Sequence, residues 1–331
     1  MVNVLDNTLE DWTDLAGKHD WSGLLVGNGF SQNIWPSFGY ASLFENATRD
    51  GGAHLVPADI SLFDRLETRN FEVVLSALIT SRIVSNALGQ PFDHFTDREE
   101  SIRAALIRAV HGVHVPWGGV SEAVLDRVAE ELSKYSSIYC TNYDLLIYWS
   151  IMRDPESFRD YFWAQQFDIT NTEVWGKKSK AHFLHGGLHL YRLLNGQTLK
   201  RRANEGQNLL DLFGTPYQDA MPLFISEGTA EEKLASIYRS DYLSFVFSTL
   251  SQDAGPLVVF GHSLSESDRH IANVIGSHKG RPVAVSVRAD CNVRQRKAQI
   301  IDALPDATPY FFDAASHPLG AADLIIEEPN I

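Results

Sequence analysis

The sequence predicts an α/β fold, a Rossmann-like parallel sheet with helices on both faces. Short apolar runs recur along the chain, segments of helical periodicity separate them, and several runs end in glycine-rich or polar turns, as in doubly wound sheets. The chain has 331 residues, of which 44% are apolar, which suits one large domain with a sizeable core. We therefore expect a single domain over residues 1–331, with a helical insertion at residues 50–135.

The first strand and the helical block come early in the chain. Residues 23–27 form a short apolar run that ends in a glycine, which is typical of a buried strand. Apolar residues then recur at helical spacing over residues 60–132. Asp97, followed by Glu100, predicts a helix start whose acidic residues favour the helix dipole. A further helix is expected near residues 121–135.

Strands and helices alternate in the rest of the chain. Asn195-Gly196 predicts a two-residue hairpin turn between two strands. Thr229 and Glu232 predict the capping box of a long amphipathic helix. Further strands are expected at residues 137–140, 183–184, 222–226, 257–260, 283–287 and 309–312, and further helices from about residue 144, at 267–277 and at 292–304.

Four polar motifs each follow a predicted strand directly. The carboxyl ends of parallel strands meet at one edge of a sheet, and ligands bind beyond that edge where the strand order reverses. We therefore expect the four motifs to open onto the same edge. They are Gly27-Asn28-Gly29-Phe30-Ser31, Thr141-Asn142-Tyr143-Asp144, His185-Gly186-Gly187 and Gly261-His262-Ser263-Leu264.

The first motif allows two interpretations. Glycines on both sides of Asn28 let the backbone turn sharply and offer N–H groups to a phosphate. The same glycines also suit a tight turn without a ligand. Gln32 stands where the dinucleotide-binding pattern GxGxxG requires its third glycine, which disfavours a conventional dehydrogenase.

The second and third motifs contain the candidate catalytic side chains. Asn142 can donate to and accept from a ribose or a bound water. Asp144 can accept from hydroxyl groups, or it can serve only as a helix N-cap. His185 has the residue type of a general base near neutral pH, although a solitary histidine is more often a packed or surface residue.

The other histidines do not predict a metal site. On a strand, His182 and His185 point to opposite faces, and His189 lies beyond a pair of glycines. No carboxylate accompanies them at a spacing typical of metal ligands. His111 and His114, three residues apart in the helical block, are expected on the surface.

Charge and cysteine content exclude several classes of protein. The net charge of −14 disfavours direct binding to nucleic acid or to an anionic membrane. No apolar run approaches the roughly 20 residues that span a bilayer, and the acidic N-terminal segment is not typical of a signal peptide, so we expect a cytoplasmic protein. The two cysteines, Cys140 and Cys291, are too few for a Cys₄ zinc ribbon.

Taken in order over about residues 21–290, the four motifs resemble the sirtuin-like (Sir2-like) fold. The first resembles the phosphate-facing loop, the second the sirtuin Gln-Asn-Ile-Asp motif, the third the catalytic His-Gly, and the fourth, with Asp268, the late Gly-x-Ser loop. Sirtuin deacylases carry a Cys₄ zinc ribbon, which this chain cannot form. The chain therefore resembles the Sir2-like NAD hydrolases of bacterial antiphage defence.

The resemblance implies cleavage of NAD⁺ to nicotinamide and ADP-ribose, with NAD⁺ as the substrate and no metal. It implies that Asn142 positions the nicotinamide ribose and the attacking water, that His185 is the general base, and that Asp144 orients the ribose. The implied cofactor-binding residues are Gly27, Asn28, Gly29, Phe30 and Ser31 at the pyrophosphate, Gly261, Ser263 and Leu264 at the adenosine, and Thr141.

The resemblance also implies that the activity is controlled. We expect a homo-oligomer, a partner defence protein (a HerA-type ATPase or an Argonaute-like protein), or both. The helical block is the candidate assembly surface or active-site cover. Two alternatives remain open: an NAD-dependent deacylase or ADP-ribosyltransferase, and a non-catalytic regulatory subunit that binds NAD or ADP-ribose.

Overall fold

The computed structural model describes most of the chain and places its strands in two sheets. The described residues are 6–36, 38, 43–48, 55–162, 165–170, 178–203, 208–213, 219–289 and 291–326. The strands are β1 (Gly23–Val26), β2 (Ser137–Cys140), β3 (Phe158–Arg159), β4 (Ser179–Phe183), β5 (Gly186–Arg192), β6 (Thr198–Lys200), β7 (Met221–Phe224), β8 (Leu257–Phe260), β9 (Pro282–Val287) and β10 (Thr308–Asp313).

The main sheet has seven strands in the order β10-β9-β8-β1-β2-β4-β3, and its neighbouring strands pair in parallel. β1 lies in the middle, where Leu25 pairs with Tyr139 on one side and with Val259 on the other. All four residues of β1 are buried, because a central parallel strand is covered on both faces. The strand order reverses between β1 and β8, and this reversal creates the crevice in which such sheets bind ligands.

The second sheet is antiparallel and has the order β6-β5-β7. It contains the predicted hairpin at Asn195-Gly196. β5 begins directly after His185, and the N–H of Ile225, just past β7, donates to the carbonyl of His185 at 2.8 Å. The second sheet is therefore anchored at the carboxyl end of β4.

Helices cover the sheets, and six of those that the structure describes lie between β1 and β2 in the chain. The helix Phe71–Ala87 packs against the helix Asp93–Val113 and also against β7. Residues 50–54 of the predicted insertion lie outside the described residues. The helices are α1 (Trp12–Ala16), α2 (Asn28–Ile34), α3 (Leu43–Thr48), α4 (Pro57–Arg65), α5 (Phe71–Ala87), α6 (Asp93–Val113), α7 (Glu122–Leu132), α8 (Leu146–Ile151), α9 (Leu209–Leu212), α10 (Ala230–Ile237), α11 (Asp241–Gln252), α12 (Arg269–Gly276) and α13 (Val293–Ala303).

The predicted α/β class is confirmed, with three corrections to its elements. The strand expected at residues 222–226 is β7, which belongs to the antiparallel sheet. The helix start expected at Asp97 is wrong, because α6 begins at Asp93, where a similar acidic first turn occurs one turn earlier. The helix with the predicted capping box ends at Ile237, and Ser240 caps a separate helix, α11.

In the part of the chain that the structure describes, no helix is both long enough and apolar enough to cross a bilayer.

Candidate functional site

A cavity of about 360 Å³ lies at the carboxyl edge of the main sheet. This volume is near the lower end of the roughly 300–1,000 Å³ that small-molecule sites occupy. Its walls combine residues that follow β1, β2, β4 and β8. The predicted site residues that line it are Asn28, Thr141, Asn142, Asp144, His185 and Ser263.

The glycines of the first and fourth motifs pack against each other instead of lining the cavity. The N–H of Gly27 donates to the carbonyl of Phe260 at 2.9 Å, and the N–H of Gly29 donates to that of Gly261 at 2.7 Å. Gly261 has a φ of +65°, and a Cβ there would lie 2.5 Å from the nitrogen of Phe30. The glycines thus permit contact between two loops, and the N–H groups of Gly27 and Gly29 are already engaged.

The other predicted residues outside the cavity wall are buried. Phe30 is part of the hydrophobic core, and Leu264, also buried, has a φ of +49°. Thr141, which does line the cavity, donates its Oγ1 hydrogen to the carbonyl of Val26 at 3.2 Å. Ser31 lies behind the wall, where it links two of the candidate catalytic side chains.

Asn142 presents an acceptor oxygen that has no partner. Its Nδ2 donates to the carbonyl of Gly27 at 3.1 Å and to Oγ of Ser31 at 2.8 Å. The contact with a carbonyl, which only accepts, identifies that atom as the amide nitrogen. Oδ1 is therefore on the other side, and it is buried with no hydrogen-bond partner among the described residues. Buried polar atoms are rarely left unpaired, so this oxygen is available to a ligand.

Asp144 is held by both of its carboxylate oxygens. Oδ1 accepts from the N–H of Leu146, the first residue of α8, at 2.8 Å, although Leu145 is the N-cap residue of that helix, and Oδ2 accepts from Oγ of Ser31 at 2.6 Å. Burial raises the pKa of the Asp144 carboxyl, and the bonds from Ser31 and Leu146 oppose that shift. Asp144 thus binds the backbone at the start of α8 and also orients Asn142 through Ser31.

His185 lies against a second imidazole, on α12. Its Nε2 is 3.0 Å from Nε2 of His270. Burial lowers the pKa of His185 well below its usual value, and the Asp268 carboxylate opposes that shift. His185 is consequently neutral near pH 7 and has a lone pair that can accept a proton. Gly186 follows with a φ of +72°, and a Cβ there would lie 2.2 Å from the carbonyl oxygen of Leu223.

An ion pair completes this side of the cavity. Nζ of Lys233, on α10, donates to Oδ1 of Asp268 at 2.7 Å, and both side chains are largely buried. Nε2 of His262 lies 3.7 Å from Oδ2 of Asp268, while its Nδ1 accepts from the N–H of Leu264 at 3.0 Å. Burial raises the pKa of the Asp268 carboxyl, but the facing His185, His262 and Lys233 lower it to about 2.

Sequence reasoning missed Lys233 and His270. Both are on helices outside the four motifs, and their only signal is position: a lysine on the apolar side of α10, and a histidine two residues after Asp268. His185, Asp268 and His270 are all buried, and their ligand atoms lie within 4.8 Å of one another, so this cluster can hold a metal ion.

Three other buried histidines, His114, His182 and His189, do not line the cavity. His182 stacks on Tyr139, and His189 on Tyr148, so both are packed core residues. The expectation that His114 lies on the surface is wrong. It is buried, and both of its ring nitrogens have partners that make burial tolerable. Its Nδ1 contacts the carbonyl of Val115 at 2.7 Å, and its Nε2 accepts from the N–H of Leu145 at 3.0 Å.

Comparisons with known proteins give a family for the chain and a likeness to solved structures. No curated protein matches the sequence. A solved structure described as "Structural Basis for the Mechanism and Regulation of Sir2 Enzymes" is similar to this chain with a TM-score of 0.34 and 10% identity, over 89% of this chain and 95% of that chain. The family described as "Domain of unknown function (DUF4917)" matches residues 24–318. The chain therefore belongs to the DUF4917 family.

Proposed function

We propose that this protein is an NAD⁺ hydrolase, which cleaves the bond between nicotinamide and ribose to give nicotinamide and ADP-ribose. One observation carries the proposal: the unpartnered Oδ1 of Asn142 and the neutral imidazole of His185 line the same cavity. We infer the substrate from the four motifs, which resemble in their residues and order those of Sir2-like NAD hydrolases.

The reaction suits these two side chains. Nicotinamide leaves NAD⁺ as a neutral molecule that takes the electron pair of the C–N bond, so its departure needs no general acid. The ribose acquires oxocarbenium character, as in glycoside cleavage. The protein has to hold the ribose, place a water molecule and accept a proton.

The proposed roles follow from the contacts. Oδ1 of Asn142 accepts from the ribose or from the attacking water, while its Nδ2 is fixed by Gly27 and Ser31. The water oxygen forms a bond to the anomeric carbon, and its proton moves to His185. Asp144 acts through Ser31 as a positioning residue. Asn28, Thr141 and Ser263 are the proposed contacts for the rest of the dinucleotide.

The experiment incubates the purified full-length chain with NAD⁺ and measures nicotinamide. We expect release by the wild type, and a loss of about 10²–10⁴-fold in His185→Ala, the range for positioned acid–base catalysis. Asn142→Ala should fall comparably. The matched control is His189→Ala, since His189 is equally buried but stacks on Tyr148 outside the cavity.

Three outcomes contradict the proposal. Near-wild-type turnover in both folded variants removes the assigned roles. Binding of NAD⁺ without nicotinamide release favours a regulatory subunit. Nicotinamide release that depends on an acyl-lysine peptide or a protein acceptor favours a deacylase or an ADP-ribosyltransferase.

We further propose that the hydrolase acts in antiphage defence by NAD⁺ depletion and that assembly, with itself or with a partner defence protein, controls it. Assembly is supported by exposed apolar side chains at the C-terminal end of α5, which are those of Ile83, Val84 and the following Leu88. Light scattering, with and without NAD⁺, tests self-assembly. A strict monomer with full constitutive activity contradicts control by assembly.

A further inference from the structure

Two imidazoles and one carboxylate meet at the edge of the cavity. His185 follows β4, His270 is on α12, and Asp268 ends the short 3₁₀ turn that precedes α12. Their ligand atoms lie within 4.8 Å of one another. The chain thus brings together three ligand groups from two separate segments, which sequence spacing alone does not reveal.

The distances match those of a metal centre. Two Zn–N bonds of about 2.0–2.1 Å at the tetrahedral angle place two nitrogens about 3.3 Å apart. Nε2 of His185 and Nε2 of His270 are 3.0 Å apart, so a shift of a few tenths of an ångström admits the ion. A hydrogen bond between the imidazoles explains that distance equally well, and titration with zinc distinguishes the two.

The carboxylate has one oxygen to offer. Oδ1 of Asp268 is held by Lys233, whereas Oδ2 lies 3.7 Å from His262, beyond hydrogen-bond distance. Metal-binding carboxylates are commonly held by an outer hydrogen-bonded partner, and Lys233 holds Asp268 in this way.

We propose that His185, His270 and Asp268 form a binding site for Zn²⁺, with a fourth coordination position open to the cavity. Two histidines and a carboxylate are a donor set of zinc sites that keep an open position. Mg²⁺ and Ca²⁺ prefer oxygen ligands.

Zinc at this site blocks the proposed hydrolysis. A neutral imidazole has a single lone pair, and a metal ion on His185 occupies the pair that accepts the proton from water. Nicotinamide release should therefore fall as zinc occupancy rises. This inhibition rests on the proposed function, whereas the metal site does not.

The test titrates the full-length chain, after dialysis against a chelator, with ZnCl₂ in a calorimeter. We expect saturable binding of one Zn²⁺ per chain and no binding of Mg²⁺. His270→Ala and Asp268→Asn should each weaken zinc binding at least about 10-fold, since even outer-sphere partners are worth 10–100-fold. His94→Ala, which removes an exposed histidine, is the control for surface binding and should bind zinc as the wild type does.

A second measurement and a more conservative variant keep the test valid if an alanine variant fails to fold. Co²⁺ in place of Zn²⁺ should give the visible absorption of a tetrahedral site, and His270→Gln, which keeps a polar side chain of similar size, should remove it. The metal site is overturned if the wild type shows no saturable zinc binding, or if the folded variants bind zinc as tightly as the wild type. Zinc binding without any nicotinamide release keeps the metal site and overturns the hydrolase.

Discussion

The two sides of the cavity are built in opposite ways. On the amide side, Asn142, Ser31 and Asp144 form a chain of hydrogen bonds of 2.6–2.8 Å in which one oxygen is left free. On the histidine side, His185 and Asp268 are buried beside two further histidines and the Lys233 ammonium. The amide side is suited to hold a ligand in one position, whereas the histidine side is suited to exchange a proton or bind an ion.

The two sides should therefore differ in how much a substitution changes the stability of the fold. On the amide side, Ser31 and Asp144 are hydrogen-bonded and only Oδ1 of Asn142 lacks a partner among the described residues, which limits the cost of burying these groups. A buried charge pair is tolerated only while both partners remain. We therefore expect substitutions on the histidine side to be more costly for folding than those on the amide side.

The largest expected effect is that of Lys233→Met. Removing the ammonium leaves Asp268, which is mostly buried, without its counter-charge, and breaking a buried pair costs about 3–5 kcal/mol of unfolding free energy. Urea or thermal unfolding measures this. Arg269→Met, which breaks the exposed pair with Glu266, is the control and should change stability little. If both substitutions changed the stability equally, the buried charge pair of the histidine side would not be costly to break.

The second effect concerns His114, which ties the helical block to the amide side through the N–H of Leu145. Burial lowers its pKa to about 4, the Val115 carbonyl opposes that shift and nearby His111 adds to it. The unfolded chain, with a histidine pKa near 6.5, then binds the proton more readily than the folded one. This contribution to stability is complete above about pH 6.5 and is lost as the pH falls towards 4.

The measurement compares the wild type with His114→Gln across that range of pH. The stability difference between them should shrink by about 3 kcal/mol from pH 7 to pH 4, because 1.36 kcal/mol corresponds to one pKa unit. Using the difference removes the contributions that the other buried histidines make to both proteins. His94→Gln, at an exposed site, is the control. A stability difference that does not depend on pH would show that His114 is not kept neutral by folding.

Prediction from the sequence succeeded where a motif directly follows a strand. The strands at residues 137–140 and 257–260 were placed at their observed bounds, because apolar runs ending in polar turns mark the carboxyl ends of parallel strands. Since that geometry brings such ends together, Asn142 and His185 were expected at one edge, and both line the cavity. Their catalytic roles stay predictions.

Prediction was wrong or silent where long-range packing decides. Nothing in the sequence near Lys233 or His270 indicates that α10 and α12 converge on His185, because helix packing depends on the whole fold. For the glycines of the first motif the sequence allows either a phosphate loop or a tight turn, and it does not indicate that a Cβ at Gly29 would lie 2.8 Å from Gly261. Close approach of two backbones and close approach of a ligand select the same residue type, and sequence alone does not distinguish them.

The third prediction tests the contact between the loops of the first and fourth motifs with the substitution Gly261→Ala. The added Cβ would lie 2.5 Å from the nitrogen of Phe30, and the backbone φ is +65°. Gly280 has a similar φ of +73° with nothing within 4 Å of its Cβ position, so Gly280→Ala measures the backbone cost alone, about 1 kcal/mol. Gly261→Ala should cost clearly more, about 2–3 kcal/mol. Equal losses would show that the loops do not need this contact.

The smallest expected effect is that of Ser31→Ala, on the amide side. Asn142 keeps its bond to Gly27, and Asp144 keeps its bond to Leu146, so each polar group remains partly satisfied. We expect a loss of about 1–2 kcal/mol in stability, less than that of Lys233→Met. The matched control is Ser150→Ala, which removes an equally buried serine whose hydroxyl donates to the carbonyl of Leu146 within α8.

Activity distinguishes the two serines, because Ser31 helps to hold the Asn142 amide in place and Ser150 does not. A roughly 10-fold drop in nicotinamide release in Ser31→Ala is expected, below the ~10²-fold that a 1 Å displacement can cost, with no drop in Ser150→Ala. If both variants kept full activity, the amide side would serve folding alone, and placement of the ligand would fall to the histidine side.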